Sequence, residues 1–213
     1  MGEIAAIILA AGRSTRFARD QPGTTKLVAD LNRKPLVRHV ADAAVASRAR
    51  PVIVVTGHAR DLVQDALVGL PLMFVPNNDY ATGLASSLQA GIAAVPSNAA
   101  GAVVLLGDMP LISADLIDDL IRRFAEDSAV DAIVPLTRGR RGNPVLLARS
   151  LFAAVAGLSG DEGARRVLQT PGLRVVEIPV HGDGARVDID TPETLEEWRH
   201  KQCPGATGRP TTR

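Results

Sequence analysis

The chain has 213 residues, of which 46% are hydrophobic, and its 24 basic and 23 acidic side chains leave a formal net charge of +1. This size and apolar content predict one domain over residues 1–200, followed by a disordered tail over 201–213. The balanced charge and the few, scattered aromatic residues argue against a nucleic-acid or membrane partner. The single cysteine excludes an intramolecular disulfide, and no apolar run reaches the roughly 18 residues of a membrane helix, so a cytoplasmic protein is expected.

Apolar, β-branched runs alternate with helix-like segments along the chain. The predicted strands are 4–9, 51–56, 72–75, 102–106, 132–135 and 175–178. The predicted helices are 35–46, 59–67, 83–94, 114–126, 151–155, 162–169 and 192–200. Ser113, Asp161 and Thr191 are expected to cap the helices that follow them. This alternation predicts an α/β fold with a doubly wound, mostly parallel sheet and helices on both faces.

The alternation breaks near residues 138–147. Arginines and glycines over 138–142 lead into the apolar run 143–147. The pattern predicts a turn and a return strand, which together form a small β excursion from the parallel sheet. An excursion of this kind at the carboxyl edge of a sheet commonly forms a wall of a ligand crevice.

The first apolar run leads into a loop of small residues with nearby cations. In chain order these are Ala10, Ala11, Gly12, Arg13, Arg16 and, further on, Lys26. Small side chains let backbone N–H groups approach phosphate oxygens, and the cations neutralise charge during phosphoryl or nucleotidyl transfer. The loop matches neither a P-loop nor a dinucleotide fingerprint. It indicates a nucleoside triphosphate site, and the alternative is a solvated loop after an ordinary buried strand.

Two aspartates are candidate metal ligands. Asp108 follows the run 102–106, at the end of a strand where an open parallel sheet presents its ligands. Asp188 and Asp190 precede the last predicted helix, and Asp190 is the favoured second ligand, with Asp188 beside it. Magnesium prefers a few carboxylate oxygens together with water and substrate phosphates. The alternatives are a turn aspartate at Asp108 and a capping role at Asp190.

Four segments together resemble the molybdopterin-type small-molecule nucleotidyltransferases, over roughly residues 4–198. They are Leu9-Ala10-Ala11-Gly12-x-Ser14-x-Arg16-Phe17 with Lys26, Leu106-Gly107-Asp108-Met109-Pro110, Gly142-Asn143-Pro144-Val145 and Asp188-Ile189-Asp190-Thr191-Pro192-Glu193. Two further segments are most similar to the CTP:molybdopterin cytidylyltransferases: Asn78-Asp79-Tyr80-Ala81-Thr82-Gly83-Leu84-Ala85-Ser86-Ser87-Leu88 and Ser159-Gly160-Asp161-Glu162-Gly163-Ala164-Arg165. The resemblance implies a Rossmann-like α/β domain that depends on magnesium and releases pyrophosphate.

The resemblance and the charges assign roles to named residues. The expected nucleotide-binding residues are Leu9, Ala10, Ala11, Gly12, Arg13, Lys26, Gly107 and Asp108, with Arg13 included for its charge and location. The expected catalytic residues are Arg16, Lys26 and Asp108, and the expected metal ligands are Asp108 and Asp190. The expected acceptor-binding residues are Ser86, Ser87 and Asn143. For the segment 78–88, the alternative is a helix cap with a buried apolar face.

The chain departs from the family pattern at several positions. Ser14 stands where a second glycine is common, Phe17-Ala18 replaces Met-Gly or Phe-Gly, and residues 19–25 lengthen the path to Lys26. Asn143 stands where a histidine is usual. The guanylyl-transferring members carry a glycine where this chain has Ala11, which favours CTP over GTP.

These observations lead to one expected function. It is the magnesium-dependent transfer of CMP from CTP to the terminal phosphate of molybdenum-loaded molybdopterin, with release of pyrophosphate and delivery of the product to a molybdoenzyme. The alternatives are GTP as the nucleotide, another small phosphorylated acceptor, and a non-catalytic molybdopterin-binding chaperone.

Overall fold

A computed structural model describes residues 2–14, 17, 25–180, 184–185, 188–189 and 191–202, with the backbone alone for 192 and 200–202. The strands are β1 (Ile4–Ala10), β2 (Asp30–Leu31), β3 (Lys34–Pro35), β4 (Val52–Thr56), β5 (Met73–Pro76), β6 (Gly101–Leu106), β7 (Ala132–Thr137), β8 (Arg140–Arg141), β9 (Val145–Ala148) and β10 (Val175–Pro179). The α-helices are α1 (Leu36–Ala46), α2 (Arg60–Ala66), α3 (Leu84–Ala93), α4 (Ala114–Ala125), α5 (Phe152–Val155), α6 (Ala164–Val167) and α7 (Pro192–Gln202). No helix within these ranges is long and apolar enough to cross a membrane.

One mixed sheet of eight strands organises the molecule. Its order is β5-β4-β1-β6-β9-β7-β10, and β8 pairs with β7 outside this path. Strands β5, β4, β1 and β6 are mutually parallel, as are β7 and β10. The predicted α/β fold is confirmed: the sheet is Rossmann-like and mostly parallel.

The excursion near residue 140 lies elsewhere than the sequence suggested. The turn and return strand are present, but β9 runs antiparallel between β6 and β7, in the interior of the sheet. Its four residues are all buried, so this apolar run forms a central strand rather than the wall of a crevice.

The two faces of the sheet are covered by different helices. Alternate residues of β1 enter two separate apolar clusters, since successive side chains of a strand point to opposite faces. Ile8 belongs to the cluster formed with α1, α2 and α4, whereas Leu9 belongs to the cluster formed with α3, α5 and α6. The expected helices on both faces are therefore present.

Three predicted helix ends can be compared with the structure. Ser113 caps α4, because its Oγ accepts a hydrogen bond from Leu116 N at 3.2 Å. Asp161 caps nothing: α6 is shorter than predicted and begins after Gly163. The last helix extends to Gln202, two residues into the predicted tail, and the rest of that tail lies outside the described residues.

A third, smaller apolar cluster joins α7 to the β2–β3 hairpin. Leu31, Leu36, Ile189 and Leu195 form its buried part. Arg199 Nε also donates a hydrogen bond of 3.0 Å to the carbonyl oxygen of Asp30. This cluster packs the segment that precedes α7 against the β2–β3 hairpin and the start of α1.

Candidate active site

A cavity of about 520 Å³ opens where β1 and β6 end. Gly107 N donates a hydrogen bond of 3.0 Å to Leu9 O, which places Asp108 beside the loop that follows β1. Among the described residues the cavity is lined by Leu9, Ala11, Gly12, Arg13, Ser14, Lys26, Leu27, Tyr80, Ala81, Gly83, Leu84, Ser87, Leu106, Asp108 and Asp161. The carboxyl ends of parallel strands are where α/β sheets bind their ligands.

Lys26 and Asp108 form an ion pair in this cavity. Lys26 Nζ lies 2.7 Å from Asp108 Oδ2, and the two side chains are only 11% and 19% exposed. The second carboxylate oxygen, Asp108 Oδ1, is buried, and no described residue donates a hydrogen bond to it. Because a buried carboxylate oxygen without a donor is costly, Oδ1 is a candidate ligand for a cation or a substrate donor.

The loop after β1 reaches Lys26 through Ser14 and Thr25. The hydroxyls of these two residues lie 3.0 Å apart, within hydrogen-bonding distance. Thr25 is buried, and its Oγ1 also accepts from Leu27 N at 3.4 Å, which starts the short 3-10 helix carrying Lys26. Ser14 adopts a positive φ of 49°, a conformation that glycine adopts without strain. A glycine at this position would suit the same backbone shape.

The opposite wall of the cavity begins after β4 and ends in α3. A Cβ atom at Gly57 would lie 2.7 Å from Tyr80 Cβ and 2.8 Å from Ala11 Cβ. The absence of a side chain at Gly57 therefore lets the two walls approach each other. His58 N donates a hydrogen bond of 3.1 Å to Ala11 O, which ties the loop after β4 to the loop after β1.

Ser86 and Ser87, the expected acceptor contacts on α3, differ in position. Ser87 lines the cavity, whereas Ser86 is not among the lining residues. Ser86 Oγ lies 3.0 Å from Asp79 O and 2.9 Å from Gly83 O, so its hydroxyl has backbone partners. Only one of these two serines thus faces the cavity.

Asn143 does not line this cavity among the described residues. Its backbone N–H donates to Ala185 O at 2.8 Å, close to the start of β9. An acceptor contact at Asn143 therefore stays a prediction.

Of the remaining expected site residues, Ala10 and Gly107 do not line the cavity within the described part of the chain. Arg16 and Asp190 lie outside the described residues. Ile189 N donates a hydrogen bond of 3.1 Å to Asp108 O, so the chain next to Asp190 runs along the backbone of Asp108. The described residues contain no group of three or more His, Cys, Asp or Glu side chains able to hold a metal.

Asp161 is a cavity residue that the sequence pattern placed in a capping role. Its exposed side chain lines the cavity across from the loop after β1. The neighbouring Glu162 takes the structural role instead, because its carboxylate accepts from Ser159 N at 3.0 Å and pairs with Arg166 at 3.1 Å. These contacts, the backbone hydrogen bond first, lower the pKa of Glu162. The sequence pattern of residues 159–165 does not indicate which of its two carboxylates faces the cavity.

The cavity therefore combines small residues, cations and the partly buried carboxylate of Asp108. Arg13 and Lys26 can neutralise phosphate charge, and Asp108 can hold a cation beside those phosphates. This composition suits a reaction in which charge moves between phosphate groups, which requires positioning and electrostatic stabilisation.

Comparisons with known proteins agree with this geometry. The family model of the MobA-like NTP transferase domain matches residues 6–176. The purine catabolism protein PucB of Bacillus subtilis (strain 168) is 31% identical over 206 residues, which cover 91% of this chain and 94% of PucB. The bifunctional protein GlmU of Leifsonia xyli is 28% identical over 187 residues, 87% of this chain and 34% of GlmU. The chain thus spans about a third of the length of that relative.

A solved structure is similar over nearly its whole length. Rv0371c from Mycobacterium tuberculosis H37Rv matches with a TM-score of 0.79 and 25% identity, covering 93% of this chain and 98% of that chain. Rv0371c has also been solved in complex with manganese. Since the family model matches most of the sequence and PucB matches nearly end to end, the chain belongs to the MobA-like NTP transferase family and is a nucleotidyltransferase.

Proposed function

We propose that the protein transfers CMP from CTP to the terminal phosphate of molybdopterin, with release of pyrophosphate. The observation that carries this proposal is the ion pair between Lys26 and Asp108, set in a cavity beside Ala11 and Gly12. In support of CTP, the chain has Ala11 where guanylyl-transferring relatives carry glycine, and Ala11 lines the cavity. The nucleotide would contact Leu9, Ala10, Ala11, Gly12, Arg13 and Gly107.

Magnesium is proposed as the metal ion. The buried Asp108 Oδ1, which no described residue satisfies, fits a hard divalent cation, because such cations prefer carboxylate oxygens. Asp108 and Asp190 would hold the ion, which would supply Lewis-acid polarisation of the phosphate oxygens. The manganese complex of Rv0371c supports a divalent cation in a related protein.

The chain's own residues would orient and neutralise the reacting phosphates. A terminal phosphate oxygen of molybdopterin forms a bond to the α-phosphorus of CTP, and the bond between that phosphorus and the bridging oxygen of pyrophosphate breaks. The nucleophile is already an anion, so no general base is needed. Lys26, Arg13 and Arg16 would offset the negative charge on the departing pyrophosphate.

The acceptor has fewer candidate contacts than the nucleotide. Ser86, Ser87 and Asn143 are proposed to bind it, and of these Ser87 is a residue that lines the cavity. Residues 1–200 are proposed to act as one nucleotidyltransferase domain in the cytoplasm, and a molybdoenzyme is proposed as the recipient of the product.

The test is pyrophosphate release by the purified protein with magnesium and molybdenum-loaded molybdopterin. CTP, GTP and ATP would be compared, and the cofactor product separated by chromatography. We expect release with CTP and a cytosine dinucleotide product. Release with GTP alone would overturn the base assignment, whereas tight molybdopterin binding without any release would favour a non-catalytic chaperone.

A further inference from the structure

We propose that Asn77 is a positioning residue that makes the Ser87 hydroxyl a dedicated hydrogen-bond donor to the bound substrate. This inference rests on the proposed function only in placing a substrate in the cavity that Ser87 lines. The ligand atom would be an oxygen that accepts a hydrogen bond, either a phosphate oxygen of the acceptor or a carbonyl oxygen of the nucleobase.

The amide of Asn77 is held in one orientation. Its Oδ1 accepts a hydrogen bond of 2.9 Å from Asp79 N, so the other end of the amide must be the donor. That Nδ2 lies 2.9 Å from Ser86 Oγ and 3.0 Å from Ser87 Oγ. Asn77 is only 5% exposed, and its backbone N donates to Thr56 O at 2.7 Å, at the end of β4. A flipped amide would place Nδ2 against the Asp79 N–H, so that two donors would face each other.

This orientation determines what the two serine hydroxyls can do. Each serine Oγ already accepts a hydrogen bond from Asn77 Nδ2, and each hydroxyl has one proton of its own to donate. Ser86 has the carbonyl oxygens of Asp79 and Gly83 within reach. No described residue accepts a hydrogen bond from the Ser87 hydroxyl.

The Ser87 hydroxyl is therefore a buried donor directed at the cavity. Ser87 is 5% exposed, so bulk water reaches it poorly, yet it lines the cavity wall. A buried donor without an acceptor costs free energy, and a substrate oxygen would remove that cost on binding. A substrate group that can only donate would leave the Ser87 proton unpaired, so the serine favours an acceptor oxygen.

The experiment uses three variants of the full chain: Ser87→Ala, Asn77→Asp and the double variant. In Asn77→Asp the carboxylate still accepts from Asp79 N, but an acceptor oxygen replaces the amide donor. The Ser87 hydroxyl would then donate to residue 77 and not to the substrate. We expect each single variant to raise one KM about tenfold with a smaller change in kcat. The double variant should be no worse than the more affected single variant, since both changes remove the same donor.

The KM values for CTP and for molybdopterin identify which substrate supplies the oxygen that accepts from Ser87. A rise in the KM for CTP, matched by weaker CTP binding in calorimetry without acceptor, assigns it to the nucleotide. A rise in the KM for molybdopterin assigns it to the acceptor. Ser47→Ala is the matched control, because Ser47 is a buried serine outside the cavity whose hydroxyl already donates to Ala44 O at 2.7 Å. Its KM values should match those of the unaltered protein.

Unchanged KM values in Ser87→Ala would overturn the inference, and this variant suffices even where Asn77→Asp does not fold. Fully additive losses in the double variant would also overturn it, because they would show that Asn77 acts by another route. CTP calorimetry keeps this result separate from the proposed function. Weakened CTP binding would support the donor even in a protein that releases no pyrophosphate.

Discussion

At the scale of single residues, the chemistry depends on the carboxylate of Asp108. One of its oxygens contacts Lys26 Nζ at 2.7 Å, and the other is buried without a described donor. A carboxylate arranged in this way balances a nearly buried lysine and keeps an oxygen for a further ligand. Its removal should therefore affect turnover far more than folding, because Asp108 is not part of the apolar clusters that cover the sheet.

We predict that Asp108→Asn lowers kcat by at least about 100-fold, because the amide keeps the shape but not the charge. Pyrophosphate release measures the effect, and circular dichroism checks that the fold persists. Asp42→Asn is the matched control, since Asp42 Oδ2 also lies 2.7 Å from a lysine, Lys34, but on α1 away from the cavity. Near-normal turnover in Asp108→Asn would remove this residue from the catalytic site.

At the scale of elements, the start of α3 and the loop before α6 support each other. Gly83 has a φ of +120°, and a Cβ there would overlap the carbonyl group of Gly160. Ala85 N donates a hydrogen bond of 3.0 Å to Gly160 O across the same contact. This close backbone approach sets the distance between Ser87 and Asp161, which lie on the two elements and both line the cavity.

We predict that Gly83→Ala destabilises the protein by about 1–3 kcal/mol and weakens CTP binding, because the new methyl group would push the two elements apart. Thermal unfolding and calorimetry measure the two effects. Gly69→Ala separates overlap from backbone strain, since Gly69 also has a positive φ, 84°, but open space around its Cβ position. Equal CTP affinities in these two variants would contradict the proposed role of the contact.

At the scale of the whole molecule, the α7 cluster connects the end of the chain to the active site. Leu195 packs with Leu31 and Ile189, and Ile189 N donates to Asp108 O at 3.1 Å. The helix therefore braces the backbone beside the catalytic carboxylate from outside the main sheet.

We predict that Leu195→Ala costs about 2–5 kcal/mol through a cavity in this cluster and raises the magnesium concentration needed for half-maximal turnover. Leu120→Ala is the control: Leu120 is equally apolar and fully buried, but it lies on α4 in a different cluster. It should lower the melting temperature without changing the magnesium dependence. An identical magnesium dependence in both variants would show that α7 does not support the metal site.

Local patterns were enough to predict most elements and the small-residue loop of the site. The continuous apolar runs at 4–9 and 102–106 become β1 and β6, because a central parallel strand is buried on both faces. Ser113 was recognisable as a cap because its hydrogen bond reaches only three residues along the chain. The positions of Ala11, Gly12 and Asp108 at strand ends followed from the same local reasoning, since parallel strands bring their carboxyl ends to one edge.

The sequence by itself thus determined the alternation of strands and helices, the loop after β1 and the carboxylate after β6. Only the tertiary structure decided which distant groups meet. The insertion of β9 between β6 and β7, the contact of Ser14 with Thr25 and the placing of Asp161 in the cavity all depend on packing. The meeting of the Asn77 amide with Ser86 and Ser87 depends on packing as well, because the two serines lie on α3, whereas Asp79 N orients the amide locally. Periodicity and capping act over a few residues, whereas these contacts depend on the folding free energy of the whole chain.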